Sequence, residues 1–179
     1  MSEVSQWYAI RTRSNCEKKV SSMLTEKGIE NYLPVFREVH QWKDREKLID
    51  LPLFLGYLFA NMVDCREARL DVLRSNGVVN ILGRGDRIEP VPASEIEAVR
   101  QLLKTSVRPQ AHPLLQEGAW VRVKRGPLRN LEGLLVRVKN QTRLVLSVTL
   151  LSQSVSAEID ASDVQFIRST VTPVSRIPS

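Results

Sequence analysis

EGAWVRVKRGPLRNLEGLLVRV, residues Glu117 to Val138, writes a β-hairpin whose turn and solvent face are both basic. Val121 and Val123 alternate with Arg122 and Lys124, so one face of the first strand is apolar and the other cationic. Gly126 and Pro127 break that strand, and Gly133 is expected to permit a second sharp backbone excursion. Leu134, Val136 and Val138 then resume the alternation against Leu135, Arg137 and Lys139. Downstream, Leu144, Leu146, Val148 and Leu150 alternate with Val145, Ser147 and Thr149, and Val155, Ala157, Ile159, Val164 and Phe166 extend the pattern. Five short strands in about 55 residues are better served by a closed barrel than by an open sheet with two sticky edges. TVTPVSRIPS, residues 170–179, reads as a frayed tail.

Upstream of the hairpin, TSVRPQAHPLLQ (Thr105 to Gln116) carries two prolines between periodic blocks and reads as a linker. The chain therefore divides into an N-terminal domain over 5–106, a linker over 107–116, a barrel over 117–169 and the tail. In the first domain Trp7 to Thr12 is an expected strand, and Ser14 with Glu17 an expected capping box for a helix. Cys16, Val20, Met23 and Leu24 give that helix an apolar face, and Gly28 stops it. Tyr32 to Trp42 and Leu48 to Leu53 are β-like runs around a charged turn, KDREK, and Tyr57 to Met62 is a third. A short helix over Arg66 to Ser75 ends at Asn76-Gly77, and Val78 to Leu82 returns as a strand. Ser94 with Glu97 offers a second capping box, before a helix striped by Ile96, Val99, Leu102 and Leu103. The order β-α-β-β-β-α-β-α implies an α+β domain, a largely antiparallel sheet with helices packed on one side.

Composition narrows the function. The chain has 179 residues and a net charge of +6, unevenly spread. Residues 1–107 hold 16 Lys and Arg against 15 Asp and Glu, residues 109–179 hold 9 against 5, and Arg108 lies between, giving +1, +4 and +1. Such a modest excess suits nucleic acid or an acidic protein met within a larger assembly. Cys16 and Cys65 stand far apart, without His or Cys at ligand spacing, so neither a zinc site nor a disulfide framework is expected. His40 and His112 are equally isolated, and no nucleophile–base–acid set or paired carboxylate stands out. The expectation is a non-enzyme without cofactor or metal, monomeric, cytoplasmic and free of membrane spans.

Three segments, in order, carry a family resemblance. WYAIRTRSNCEKKVSSML (Trp7 to Leu24) and LPLFLGYLFANM (Leu51 to Met62) resemble the N-terminal domain of the NusG family of transcription elongation factors, and the Glu117 to Val138 hairpin resembles the KOW motif that follows a linker there. YLPVFREVHQWKDREKLIDLPLF further resembles the specialised RfaH and UpxY-type paralogues, because the hairpin follows the first helix without a longer insertion. The resemblance implies a ferredoxin-like NGN domain joined to a five-stranded SH3-like barrel. It implies an elongation or antitermination factor bound to the β′ clamp helices of bacterial RNA polymerase and reaching towards the β subunit. Housekeeping action with Rho and the ribosome is the alternative, and a ribosome-associated RNA-binding module is a rival of another class.

The resemblance also assigns residues. Tyr57 and Phe59, sharing one face of their strand, are the expected polymerase-docking patch, with Phe54, Leu55 and Ile81 around them. The bland alternative is that each is a core residue. Arg11, Arg13, Lys18 and Lys19 are expected to face nucleic acid, the non-template DNA strand in this family, with Asn15 and Asn76 able to add base-edge hydrogen bonds. In the barrel, Leu128, Leu150, Leu151 and Gln153 match positions that recruit a small-subunit ribosomal protein or Rho. The loop itself is marked by Gly126, Pro127, Asn130 and Gly133, with Asn130 where the family has a glycine that a left-handed backbone requires. Leu55 stands where proline is common.

Overall fold

In the computed structural model, which describes residues 4–42, 45–84, 87–105, 110–113, 118–138, 141–148, 151 and 153–169, two blocks of elements follow one another. The first runs β1 (Gln6–Thr12), α1 (Glu17–Glu26), β2 (Glu30–Tyr32), β3 (Val35–Trp42), β4 (Arg45–Pro52), β5 (Tyr57–Met62), α2 (Arg66–Leu73), β6 (Val78–Ile81), β7 (Gly83–Arg84), β8 (Arg87–Ile88), β9 (Pro90–Val91) and α3 (Ala93–Leu103). The second runs β10 (Gln110–Pro113), β11 (Ala119–Val123), β12 (Glu132–Val138), β13 (Gln141–Val148), β14 (Gln153–Glu158) and β15 (Val164–Ser169).

Alternation along β1 and β5 decides the first domain. The two strands pair antiparallel from Gln6 opposite Met62 to Arg11 opposite Tyr57, at the centre of a sheet ordered β2–β5–β1–β6, with β9 also on β1. Tyr8, Ile10, Leu58, Ala60 and Met62 point to one face, where they bury against Val20 and Leu24 of α1 and Val72 of α2. Trp7, Ala9 and Phe59 point to the other, where they meet Ile96, Val99 and Leu102 of α3. Helices thus cover both faces rather than the single side expected, because both sets of side chains are apolar and each must leave water. The antiparallel α+β class stands.

The expected strand from Tyr32 is interrupted. Leu33 and Pro34 separate β2, which joins the sheet, from β3, which leaves it to pair with β4 in a two-stranded arm. Proline has no N–H to donate to a ladder, so the pairing changes partner there. Both capping boxes also differ. Cys16 is the N-cap of α1 with no side-chain cap bond, and Pro92 is that of α3, leaving Ser94 inside the helix. Glu17 turns away from the backbone of its own helix and accepts a hydrogen bond from the Gly56 N–H at 2.7 Å. On α2 the Cys65 sulfur caps the Ala68 N–H at 3.5 Å.

In the second block the antiparallel order is β10–β14–β13–β12–β11–β15. Val121, Val123, Leu144, Val155, Ala157 and Val164 fill the interior of this SH3-like barrel. One strand more than expected is present, because Gln110–Pro113 of the presumed linker pairs with β14. Asn130 does adopt the left-handed backbone, φ 71°, as does Gly126 at 81°. Gly133 does not serve a turn; it is a buried residue of β12 opposite Val121. Helix α3 packs against β13, and Gln101 Nε2 donates to the Arg129 carbonyl at 2.9 Å. A single apolar cluster therefore runs from Trp7 and Phe59 through α3 to Val121 and Leu144 of the barrel.

Candidate functional site

The C-terminal end of β1 gathers most of the residues singled out in the N-terminal domain. There the chain is stitched to two turns: Thr12 N–H donates to the Gly56 carbonyl and Arg13 N–H to the Gly77 carbonyl, both at 2.8 Å. Ser14 and Asn15 form the tight step into α1, with Asn15 at φ 61°, a left-handed conformation that Asn tolerates better than other side-chain-bearing residues. Gly77 lies so close to α1 that a Cβ would meet Cys16 Cβ at 3.0 Å and Val20 Cγ2 at 3.1 Å, and its φ of 105° excludes most side chains. Asn76 is thereby held beside Arg13. The buried Glu17 carboxylate, bonded to the Gly56 N–H, fixes the Leu55–Gly56 turn against the start of α1.

Between these turns opens a groove of about 300 Å³ lined by Arg11, Thr12, Ser14, Asn15, Glu17, Leu55, Gly56 and Tyr57. Arg11 and Tyr57 are register partners on β1 and β5, so they share the same face of the sheet. Leu55 is 72% exposed and Tyr57 half-buried. Arg11, Arg13, Lys18 and Lys19 are all exposed, and none enters an ion pair among the described residues. The one carboxylate on the groove, Glu17, is buried and held by a backbone N–H, so the mouth is cationic. Asn15 and Asn76 are exposed as well.

The aromatic patch is arranged differently from expectation. Phe54 and Phe59 are 0% exposed and Ile81 is buried, so only Leu55 and Tyr57 of the five docking candidates reach the surface. Tyr32 stacks on Phe59 with ring centroids 6.4 Å apart, and Phe54 meets it edge-on at 6.2 Å. Burying Phe59 contributes about 1.5–3 kcal/mol to the fold, which is why it fills the α3 side instead of facing water. Above this cluster Arg100 of α3 places its guanidinium 5.0 Å from the Trp7 ring and 4.7 Å from the Tyr32 ring. Neither Arg100 nor Tyr32 is marked by local spacing as a pair, since they lie on separate elements.

In the barrel Leu128 and Leu151 are buried, Leu150 lies outside the described residues, and Gln153 is placed at the start of β14 by its backbone. The loop from Lys124 to Leu131 presents Lys124, Arg125, Pro127 and Arg129 to solvent. Glu132 accepts from Arg122 Nε at 2.7 Å, which neutralises the cation nearest the strand. Among the described residues no group of His, Cys, Asp and Glu is placed to hold a metal ion, and no helix is long and apolar enough to cross a membrane.

Comparison with known proteins gives a consistent result. Residues 5–100 match the family model described as transcription termination factor nusG. The chain is 28% identical over 175 residues to the transcription termination/antitermination protein NusG of Escherichia coli strain K12, covering 89% of this chain and 95% of that protein. It is 24% identical over 174 residues to the protein of the same name from Halalkalibacterium halodurans, covering 90% and 98%. A solved structure described as domain interaction in Thermotoga maritima NusG shares the fold, with a TM-score of 0.54 and 20% identity over 92% of this chain and 98% of that one.

Proposed function

This chain belongs to the NusG family of transcription termination/antitermination factors, and from that premise we propose that it travels with bacterial RNA polymerase, bound through its N-terminal domain to the β′ clamp helices and bridging towards the β subunit. In this reading it suppresses pausing or termination and recruits a further partner through its barrel. Leu55 and Tyr57 supply the accessible contacts of the docking surface, with Phe54, Phe59 and Ile81 as the packed layer behind them. Arg11, Arg13, Lys18 and Lys19 contact the backbone of the non-template strand, adding salt-dependent affinity without sequence information. The observation that carries the reading is that the match to relatives of this name runs through both domains, spanning 95–98% of their length as well as most of this chain.

Two recruitment modes divide the proposal. A specialised, operon-specific role is supported by the arm β3–β4, which follows α1 with only residues 27–34 between them, the turn at Gly28, β2 and the Leu33-Pro34 step. A housekeeping role with Rho is favoured by the relatives' shared name. Binding of the full chain to core RNA polymerase, with and without a competing peptide hairpin of the clamp helices, tests the common part. Competed binding that Tyr57→Ala with Leu55→Ser weakens at least about tenfold is the expected result, a loss in line with removing two interface contacts. Unaltered binding in that double variant would sink the docking surface. Retention of Rho on the bound complex then separates the two modes.

A further inference from the structure

Glu17 is buried, 4% exposed, in a segment of exposed cations that it does not pair with: Arg13 precedes it, Lys18 and Lys19 follow, and none enters an ion pair among the described residues. An acid in the first turn of a helix meets the helix dipole from the surface as well, and keeps its hydration there. This one is drawn inwards to one donor, the Gly56 N–H at 2.7 Å, a bond that the carboxylate charge makes stronger than a neutral one. The carboxylate belongs to neither the docking surface nor the nucleic-acid surface.

The turn it holds explains the arrangement. Phe54 to Tyr57 is a β-turn closed by the Tyr57 N–H on the Phe54 carbonyl at 3.2 Å, and the φ of 79° at Gly56, its third residue, is that of type II. Leu55 is the second residue, at the apex and 72% exposed. Proline there presets φ at about −65°, whereas leucine leaves it free to rotate, so this turn depends on the bonds that hold it from outside. Both polar groups of the Gly56 backbone are held: the N–H by Glu17, and the carbonyl by the Thr12 N–H at 2.8 Å. Among the described residues the first is the side-chain hold on the turn. We infer that Glu17 is a positioning residue for polymerase docking: from α1 its carboxylate fixes the Gly56 peptide, and with it the direction in which Leu55 leaves the surface. Tyr57, already in the ladder between β1 and β5, does not need it. The inference rests on the docking surface proposed above and adds to it a residue that does not itself touch the polymerase.

The full chain is prepared with Glu17→Met and with Glu17→Gln, two neutral replacements of similar length of which only Glu17→Gln retains an oxygen to accept from Gly56. Both remove the same charge from the cationic surface, so an electrostatic or helix-dipole role affects them alike, and thermal melting verifies that both fold. Hydrogen exchange of the Gly56 amide, measured without polymerase, is expected to quicken about tenfold in Glu17→Met and to stay within about twofold of the parent in Glu17→Gln, the scale of one hydrogen bond. Affinity for core RNA polymerase follows the same order, about tenfold weaker for Glu17→Met and near the parent for Glu17→Gln. In a Leu55→Ser background the difference in affinity between the two variants closes, because the turn no longer presents a contact, whereas a general loss of stability persists in both backgrounds. Equal amide exchange in the two variants overturns the clamp. Unequal exchange with equal polymerase affinity overturns the positioning role and leaves the docking surface standing, as does a difference in affinity that survives Leu55→Ser. Absence of polymerase binding by the parent overturns the docking surface, and this role with it.

Discussion

Tyr32 joins β2 to α3 through Arg100, whose guanidinium it shares with Trp7, and its own ring stacks on Phe59. Such a cation between two rings contributes about 0.5–2 kcal/mol, more as water is excluded. Burial pushes the Tyr32 hydroxyl up to about 12, against the downward pull of the Arg100 charge and with Glu97 adding to the rise. In the unfolded chain the same hydroxyl ionises near 10. The folded protein therefore retains a proton that the unfolded chain gives up as pH rises through that interval. Below pH 10 the contribution is fully present, and between about pH 10 and 12 it is lost. Denaturation midpoints measured from pH 9 to 12 are expected to fall more steeply for the parent than for Tyr32→Phe, which cannot ionise. Parallel curves would show that this hydroxyl is hydrated in the native state. Tyr8, also raised by burial, is present in both proteins and cancels from the difference.

At the level of elements, the barrel's strands are written so plainly that the secondary structure follows from period alone, whereas their number and the helix starts do not. Val, Leu and Arg alternate with period two through β11 to β13, and Gly126 with Pro127 breaks any helix that might compete. A fragment of residues 110–179 is accordingly expected to give β-type circular dichroism at all concentrations. A helical spectrum from it would mean that the strands owe their form to α3 and the rest of the chain. The same local reasoning failed at Glu17. S-x-x-E spacing is a signature of a reciprocal cap, yet the carboxylate found a better use in the Gly56 N–H, thirty-nine positions away, and no window of sequence contains that contact. It failed again at Gln110–Pro113, where Pro109 and Pro113 suggested a linker but the free edge of β14 offered unpaired backbone groups to any extended segment nearby. Of the site, Arg11, Arg13, Asn15, Leu55 and Tyr57 were legible because charge, exposure and turn chemistry are local. Thr12 was not, since the burial of that strand-end side chain is a property of the packed ends of several elements.

Across the whole molecule, α3 joins the two domains: one side holds the sheet through Ile96, Val99 and the Arg100 sandwich, and the helix also carries the barrel. Beyond the apolar contact, one polar fastening between the two domains is the Gln101 hydrogen bond to the Arg129 carbonyl, on the loop that Asn130 shapes. A neutral, solvent-exposed bond of this kind stabilises by about 0.5–1.5 kcal/mol, so its loss shifts a docking equilibrium by roughly two- to tenfold. Leu128, the barrel residue matched to partner recruitment, is adjacent to that bond and 2% exposed. On the recruitment proposed above, a side chain so covered meets a partner only when it is uncovered, so docking is expected to compete with recruitment where α3 supplies part of that cover. Gln101→Ala is expected to increase the population with the barrel released. In nitrogen-15 relaxation the described residues of 4–105 and 118–169, which tumble as one body when docked, would then report separate correlation times. Chemical shifts would move along α3 and from Lys124 to Leu131, and would stay fixed in α1 and α2, on the opposite face of the sheet. If shifts in the Lys124–Leu131 loop are unchanged, the Gln101 bond carries no docking energy and the other contacts of α3 with the barrel hold it. If they move and Leu128 becomes accessible, affinity for the recruited partner rises by the same factor as the released population.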